Sequence, residues 1–412
     1  MDDRITVREI QAAGGRIAVR FTAEGSELLR SFFKKDELLT DFDLPDGRQI
    51  PPGIAVIPFV CLALPIAWIT GAELVVEELD RTFYESVDAF RAGYADMYPE
   101  IDFRGSLAAG ALTDDGWDGS GAAVLFSGGL DSFHTLLSHI DERPRLVALW
   151  GADVAYDNAE GWEQALGQIR DTARQFHLPY HAVHTDFRTV IDEWALTKYV
   201  RTFDSRLGWW HDFQHGIGIV SHVAPLAFAY GLGKVYIASS FTPDQVYTSA
   251  SDPTIEGRMR FGGAAVIHDG YRFDRQAKLR AVCGYARENG VCIPLRVCWL
   301  SKDGKNCCAC EKCYRTMLGV IAEGEDPRQF GFPDYDGTVY RNMLLDLRWD
   351  YLAKPFSRRY ACIQRRLRER YAPGDCPREL RWFYRLEFSE KLTLYERLVR
   401  RCWRHLKRYI LK

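Results

Sequence analysis

The stretch "AAVLFSGGLDSFHTLLSHID", Ala122–Asp141, decides how the chain is read. An apolar run breaks into Ser127-Gly128-Gly129-Leu130-Asp131-Ser132 and then resumes with helical spacing. A strand that ends on two glycines and enters a helix near Ser132 builds an anion cradle. Glycines let backbone N–H groups turn toward a phosphate with no Cβ in the way. The helix N-terminus adds free N–H groups and partial positive charge. Ser127 and Ser132 offer hydroxyl donors. Asp131 would repel a phosphate directly, so its natural task is to hold a Mg²⁺ that bridges the phosphates. A simple helix cap would use Asp131 or Ser132 and leave the rest of the hexapeptide unexplained. The loop lacks the Lys-Ser/Thr ending of Walker A and the third spaced glycine of the dinucleotide fingerprint.

Around this loop, short apolar segments alternate with amphipathic ones. "AAVLF", "RLVALWG", "YHAVHTDF", "KVYIASS" and "IPLRVCW" read as strands, and "GWEQALGQIRDTARQFH" and "GIGIVSHVAPLAFAYG" as helices between them. That order predicts an α/β fold, a doubly wound parallel sheet with ligands at the carboxyl ends of its strands. Upstream, "RITVREI" and "GRIAVRFTA" alternate like strands and "RTFYESVDAFRAGYADMYP" has helical spacing. The expected organisation is an α+β N-terminal domain over 1–111, a linker rich in Gly, Asp and Ser, a central α/β domain over 119–333, and a helical extension over 334–412. That extension includes "RRYACIQRRLRERY" and a closing amphipathic segment with Leu394, Leu398, Cys402 and His405 or Leu406 near one face.

Downstream, "CWLSKDGKNCCACEKC" places Cys298, Cys307, Cys310 and Cys313 in a C-x8-C-x2-C-x2-C array. Two C-x2-C steps turn their thiolates inward and Cys298, at an expected strand end, closes a tetrahedron, which suits structural Zn²⁺. Lys302, Lys305 and Lys312 would favour thiolates, and Cys308 is left as a spare thiol. A redox-active pair, an iron–sulfur cluster and four free thiols use the same residues.

Apolar residues make up 47% of the chain and charged ones 26%, the balance of an ordinary globular protein rather than a disordered one. Eleven cysteines with no basic-then-apolar leader suggest a cytoplasmic protein with reduced thiols. Ile54–Ala72, "IAVIPFVCLALPIAWITGA", is uncharged and long enough to span a bilayer. Pro58 and Pro65 argue against one unbroken helix, so the expectation is no membrane span and strand-length pieces of a buried sheet. Residues 354–412 carry 18 Lys+Arg against 6 Asp+Glu, or +12, leaving −15 on residues 1–353. A basic tail of this kind suits RNA or an acidic protein partner, or packing against the acidic body.

"SGGLDS" resembles the pyrophosphate-binding loop of the N-type ATP pyrophosphatases, also called the PP-loop or adenine nucleotide alpha hydrolase-like superfamily. The "CCACEKC" spacing after it is similar to the zinc site of 7-cyano-7-deazaguanine synthase, with Cys308 where that family has glycine. Phe133 departs from the hydroxyl residue common after the last Ser. The resemblance covers about Gly121–Ile321. It implies that Ser127–Ser132 bind ATP and Mg²⁺, that Asp131 and Ser132 take part in chemistry, and that a basic residue, Arg275 or Lys278, faces the phosphates. Such a cation would neutralise charge developing on the α-phosphate and the leaving pyrophosphate. Arg280 lies on the same expected helix. Homodimers are common in this class.

The activity so implied is an ATP-dependent ligase or amidating enzyme. It adenylates a carboxylate or amide oxygen of a small-molecule or peptide acceptor, after which ammonia or an amine attacks. No glutaminase nucleophile follows Met1, so the nitrogen is expected as free ammonia, from a partner or on the acceptor. Sulfur transfer to RNA, with Cys308 as the nucleophile, and a non-catalytic nucleotide-binding module are the alternatives. His211 and His215 have the i, i+4 spacing of a zinc protease helix without its glutamate. His215 and Gly216 suit a substrate pocket instead. Ser239, Ser240 and Ser249 lie in a hydroxyl-rich segment expected to loop over the same sheet edge.

Overall fold

The computed structural model describes residues 2–45, 47–203, 207–245, 247–298, 305–335, 357–386, 388 and 402. The closing segment with Leu394, Leu398, His405 and Leu406 lies outside the described residues, as does Lys302. The chain forms two compact units. Residues 1–127 and 138–271 make the first, and residues 128–137 and 272–412 make the second.

The first unit is an α/β structure on a central, mostly parallel sheet. Its strands are β1 (Arg4–Ala13), β2 (Arg16–Glu24), β3 (Glu37–Phe42), β4 (Glu73–Asp80), β5 (Ser106–Thr113), β6 (Gly121–Leu125), β7 (Arg145–Trp150), β8 (Tyr180–Thr185), β9 (Leu232–Ala238), β10 (Arg260–Phe261) and β11 (Ala264–Asp269). They line up as β10-β11-β9-β6-β7-β8-β3-β2-β1-β4-β5. β11, β9, β6, β7 and β8 are mutually parallel. Numbered along the chain, these five strands stand in the order 5-4-1-2-3, so the order reverses beside β6. Open α/β sheets bind ligands at such reversals, outside the carboxyl ends of the strands.

β1, β2 and β3 form an antiparallel meander that joins the parallel strands where β3 meets β8, with Thr40 opposite Thr185. β4 and β5 continue the sheet beyond β1. The segment Leu112–Ala122 therefore connects two strands of one sheet. The units divide the chain differently from the expected boundaries at 111–119 and 333–334, because these pairings place residues 1–111 in the same sheet as β6–β9 and β11.

Ile54–Ala72 corrects an expectation. It holds two helices, Pro52–Ala55 and Ile57–Thr70, not strands, and the second is buried almost throughout. Pro58 sits in the first turn, where a missing N–H costs nothing. Pro65 is interior and leaves the Cys61 carbonyl, four residues back, without its helical donor. The side chain of Gln214 supplies one, with Nε2 donating to Cys61 O at 3.0 Å. A period test could not expose this helix, since all of its faces are apolar. Among the described residues no helix is long and apolar enough to cross a membrane.

The other expected helices form: Arg81–Met97 and Ala159–Gln175, capped by Asp80 and Asn158, then His215–Ser221 and Ala224–Tyr230. "IPLRVCW" does not form a strand over its described residues, 293–298. Its backbone bonds go elsewhere in the second unit, Ile293 N–H to Gln329 O at 3.0 Å and Arg296 N–H to Gly128 O at 2.7 Å. The second unit holds all but the last residue of the helix Leu130–Ser138, with the helices Arg275–Asn289, Glu311–Ala322 and Ser357–Arg370.

A polar chain crosses the β3–β8 seam. His222, fully buried, donates from Nδ1 to Gly218 O at 2.6 Å, so its Nε2 accepts from Thr185, 3.0 Å away. Thr185 is in turn 3.1 Å from Thr40. Burial pushes His222 down to about 4.

Two outcomes are expected from these contacts. Gln214→Leu should cost about 1–3 kcal/mol in denaturant unfolding by orphaning Cys61 O. The cost should shrink in a Pro65→Ala background, where the restored N–H serves that carbonyl. For His222 the folded pKa lies below the unfolded value of about 6.5, so its contribution is complete above that pH and is lost as pH falls toward 4. The loss approaches about 3 kcal/mol, and His222→Gln should flatten this part of the stability–pH curve relative to wild type.

Candidate functional site

β6 ends at Leu125, and Phe126 extends its pairing through N–H to Val147 O at 2.8 Å. Ser127, exposed, is the last residue of the first unit before the chain enters the second. Gly128 then adopts φ +74°, the left-handed turn that a side chain resists. The helix starts at Leu130, whose side chain is buried and anchors the first turn. Ser132 is buried and donates through Oγ to Gly129 O at 3.1 Å, so its hydroxyl proton closes this turn.

Asp131, one residue into the helix, faces two cations from the Arg275–Asn289 helix. Lys278 Nζ is 3.2 Å from one carboxylate oxygen and Arg275 Nη1 is 3.6 Å from the other. Lys278 is 2% exposed. Burial works against the charged form of Asp131, but Lys278 and Arg275 outweigh it and hold the carboxyl below its ordinary range. Both cations occupy the first turns of their helix, which Asp274 caps by accepting from Ala277 N–H at 2.7 Å. Positive charge there opposes the helix dipole at a cost of about 0.3–1 kcal/mol each, so helix stability does not account for their placement. Arg280 lies elsewhere, 3.6 Å from Glu323 and 3.4 Å from Glu369.

A third cation escaped the sequence reading. Arg315, on the Glu311–Ala322 helix, is pushed down to about 10, first by burial and then by Arg275, and its charge also acts on Asp131. Thr316, the next residue, accepts from Arg275 Nη2 at 3.1 Å. The signal for both was their position just after the last cysteine of the array.

The four predicted thiols converge. Sγ atoms of Cys298, Cys307, Cys310 and Cys313 lie within 4.8 Å of one another, and the quartet could hold a metal ion such as zinc. Cys298–Cys310 is 3.8 Å, Cys307–Cys313 is 3.9 Å and Cys310–Cys313 is 3.4 Å. Sulfurs about 2.3 Å from a central ion form a tetrahedron with edges of about 3.8 Å. A disulfide would need about 2.05 Å. Cys310 and Cys313 share a hydrogen bond at 3.4 Å, which pulls Cys310 down to about 5 and pushes Cys313 up.

Asn306, also missed, builds the frame. Its Oδ1 accepts from the Val297 and Cys298 N–H groups at 3.0 and 3.1 Å, and Nδ2 donates to Leu295 and Gly331 carbonyls at 2.7 Å each. All four hydrogen bonds of the amide are thus used, and Cys298 is delivered from irregular chain rather than from a strand end. Cys308 stays out of the quartet. It is 8% exposed, its φ is +52°, and its Sγ lies 3.8 Å from Asn306 O. Lys305 is exposed and Lys312 half-buried.

The remaining candidates lie in the first unit. His211 lies within a π-turn, Trp210–Gln214, and His215 follows it, its N–H bonding to Trp210 O five residues back. The wider turn removes the i, i+4 alignment that a shared metal needs. His211 Nδ1 stands 3.4 Å from Asp212 and His215 Nε2 3.9 Å from Asp153. Among the described residues only the cysteine quartet groups three or more such ligands. Gly216 allows close packing, since a Cβ there would strike Ala250 O. Ser239 and Ser249 are buried, Ser239 donating to Phe241 O at 2.9 Å and Ser249 accepting from Ser251 N–H at 3.1 Å, and Ser240 is exposed.

Arginines in the described part of the basic tail pair within their own unit. Arg366 grips both oxygens of Glu323 at 2.8–3.0 Å, and Arg365 is 3.2 Å from Asp274. No family model, curated protein or solved structure matches the chain.

Purified protein should carry one metal ion per chain by elemental analysis. Cys310→Ser or Cys313→Ser should remove it. Cys308→Gly should retain it and raise stability by about 1 kcal/mol, because glycine adopts a positive φ without strain.

Proposed function

We propose that the chain is an ATP pyrophosphatase-type ligase with a doubly wound sheet of the PP-loop, adenine nucleotide alpha hydrolase-like kind. The observation that carries the reading is the left-handed Gly128 at a helix N-terminus whose Asp131 is flanked by Lys278 and Arg275. Three cations and a helix N-terminus beside a glycine turn form a surface that suits a polyphosphate.

ATP would lie with its β- and γ-phosphates on the Gly128–Ser132 backbone, Ser127 closing the loop at its start. A carboxylate or amide oxygen of the acceptor attacks the α-phosphorus, the bond to the β-phosphate bridging oxygen breaks, and pyrophosphate leaves. Ammonia or an amine then attacks the activated carbon and AMP departs. Lys278 and Arg275 hold the charge that accumulates on pyrophosphate, and they do so in a site where desolvation strengthens each contact. Mg²⁺, when bound, would take ionised Asp131 as its protein ligand and neutralise phosphate charge. Zn²⁺ on Cys298, Cys307, Cys310 and Cys313 would be structural, since four thiolates leave it no open position.

Sulfur transfer by Cys308 is disfavoured by the burial of that thiol. All eleven cysteines are free, in keeping with a reducing compartment such as the cytoplasm.

Incubated with Mg-ATP and a metabolite extract, the protein should release AMP and pyrophosphate. Asp131→Ala and Lys278→Ala should be slower by about 10²-fold or more. Chromatography of the nucleotide products decides the matter: ADP and phosphate, or equal product from the Asp131 variant, would remove the reading.

A further inference from the structure

The helix Glu311–Ala322 carries the metal array and part of the cationic cluster on adjacent residues. Cys310 is its N-cap and Cys313 lies in its first turn, and both belong to the quartet. Arg315 and Thr316 follow immediately. Thr316 donates to Lys312 O at 2.8 Å and accepts from Arg275, which in turn faces Asp131. A continuous line of contacts thus runs from the thiols to the glycine loop within one unit.

Arg315 is unusual among the buried arginines of this unit. Its side chain is 10% exposed, yet Nε makes no hydrogen bond within the described residues. The nearby carboxylate, Glu311, stands with one oxygen 3.4 Å from Nε, and the other, Oε2, is buried without a hydrogen bond among the described residues. The Arg366–Glu323 pair shows the saturated alternative, with two oxygens engaged at 2.8–3.0 Å. A buried guanidinium with an unused donor needs an explanation, and its planar fork matches phosphate oxygens.

We propose that Arg315 is a further binding residue for the pyrophosphate moiety and that the four-cysteine site serves to deliver it. An ion that locks Cys310 and Cys313 fixes the first turn of the helix and hence the positions of Arg315 and Thr316. Metal occupancy thereby sets affinity for polyphosphate although no thiolate touches it. This inference rests on the ATP pyrophosphatase reading.

The test is calorimetric titration of inorganic pyrophosphate into zinc-loaded protein, chelator-stripped protein, and loaded Arg315→Gln and Arg315→Lys. A charged hydrogen bond lost from a buried site corresponds to about 10- to 100-fold in affinity. Arg315→Gln should weaken binding by that factor, and Arg315→Lys by less. Both should keep their zinc content and melting temperature. Stripped protein should bind at least about 10-fold more weakly and recover on adding Zn²⁺. Wild-type affinity in Arg315→Gln or in stripped protein would overturn the inference and leave the enzymatic reading standing. Loss of zinc or of folding in both Arg315 variants would make the residue structural and equally overturn it. If loaded wild type binds neither pyrophosphate nor ATP, the reading itself falls and takes the inference with it.

Discussion

The ion pair between Asp131 and Lys278 constrains everything around the glycine loop. Lys278 is almost fully buried, so removing the carboxylate would take a counter-charge from an ammonium held out of water, a change that typically costs about 3–5 kcal/mol. Arg275 adds a second cation and ties Thr316 to the same point. With Arg315 included, three cations face two carboxylates among the described residues, Asp131 and Glu311, a positive excess among those residues in a desolvated place. Such an excess is expensive unless an anion offsets it. The helix N-terminus at Leu130 adds to the same sign of potential. The arrangement is thus poorly suited to stability alone and favours an anion beside it.

The first unit solves a different problem, that of burying polar backbone inside apolar layers. Pro65 frees a carbonyl in the middle of a buried helix, and Gln214 answers it from another helix. Thr40, Thr185 and His222 do the same at the seam where antiparallel strands meet parallel ones. In both places long-range side-chain contacts settle a local deficit. Neither could be inferred from neighbours in sequence, because the partners are separated by 153 residues in one case and by 145 and 37 in the other.

That contrast explains what was legible in the sequence. The left-handed turn at Gly128 and the convergence of the four cysteines were readable because each is set within a short span whose spacing fixes its geometry. β6–β9 and the helices between them were readable from the alternation of short apolar and amphipathic segments. Ile57–Thr70 was misread because two prolines and a uniformly apolar face erase the helical period. Residues 293–298 have β-like composition, but their bonds go to Gln329, Gly128 and Asn306, so tertiary contacts override propensity. Arg315, Thr316 and Asn306 carry no motif of their own and gain significance only from what lies beside them.

Cys308 shows which force shapes the metal array. A left-handed φ at a residue with a Cβ costs about 1–2 kcal/mol relative to glycine, and the chain tolerates it at +52°. Strain of this kind persists only where the surroundings over-determine the backbone. Here Asn306, with four hydrogen bonds, and Cys307, in the quartet, fix the chain before it, and Cys310, also in the quartet, fixes it after. The turn between them has one solution whatever side chain occupies it. A cysteine can therefore replace glycine without changing the geometry of the array. Convergence of the four sulfurs, rather than local backbone preference, dictates the path of the chain into the Glu311–Ala322 helix.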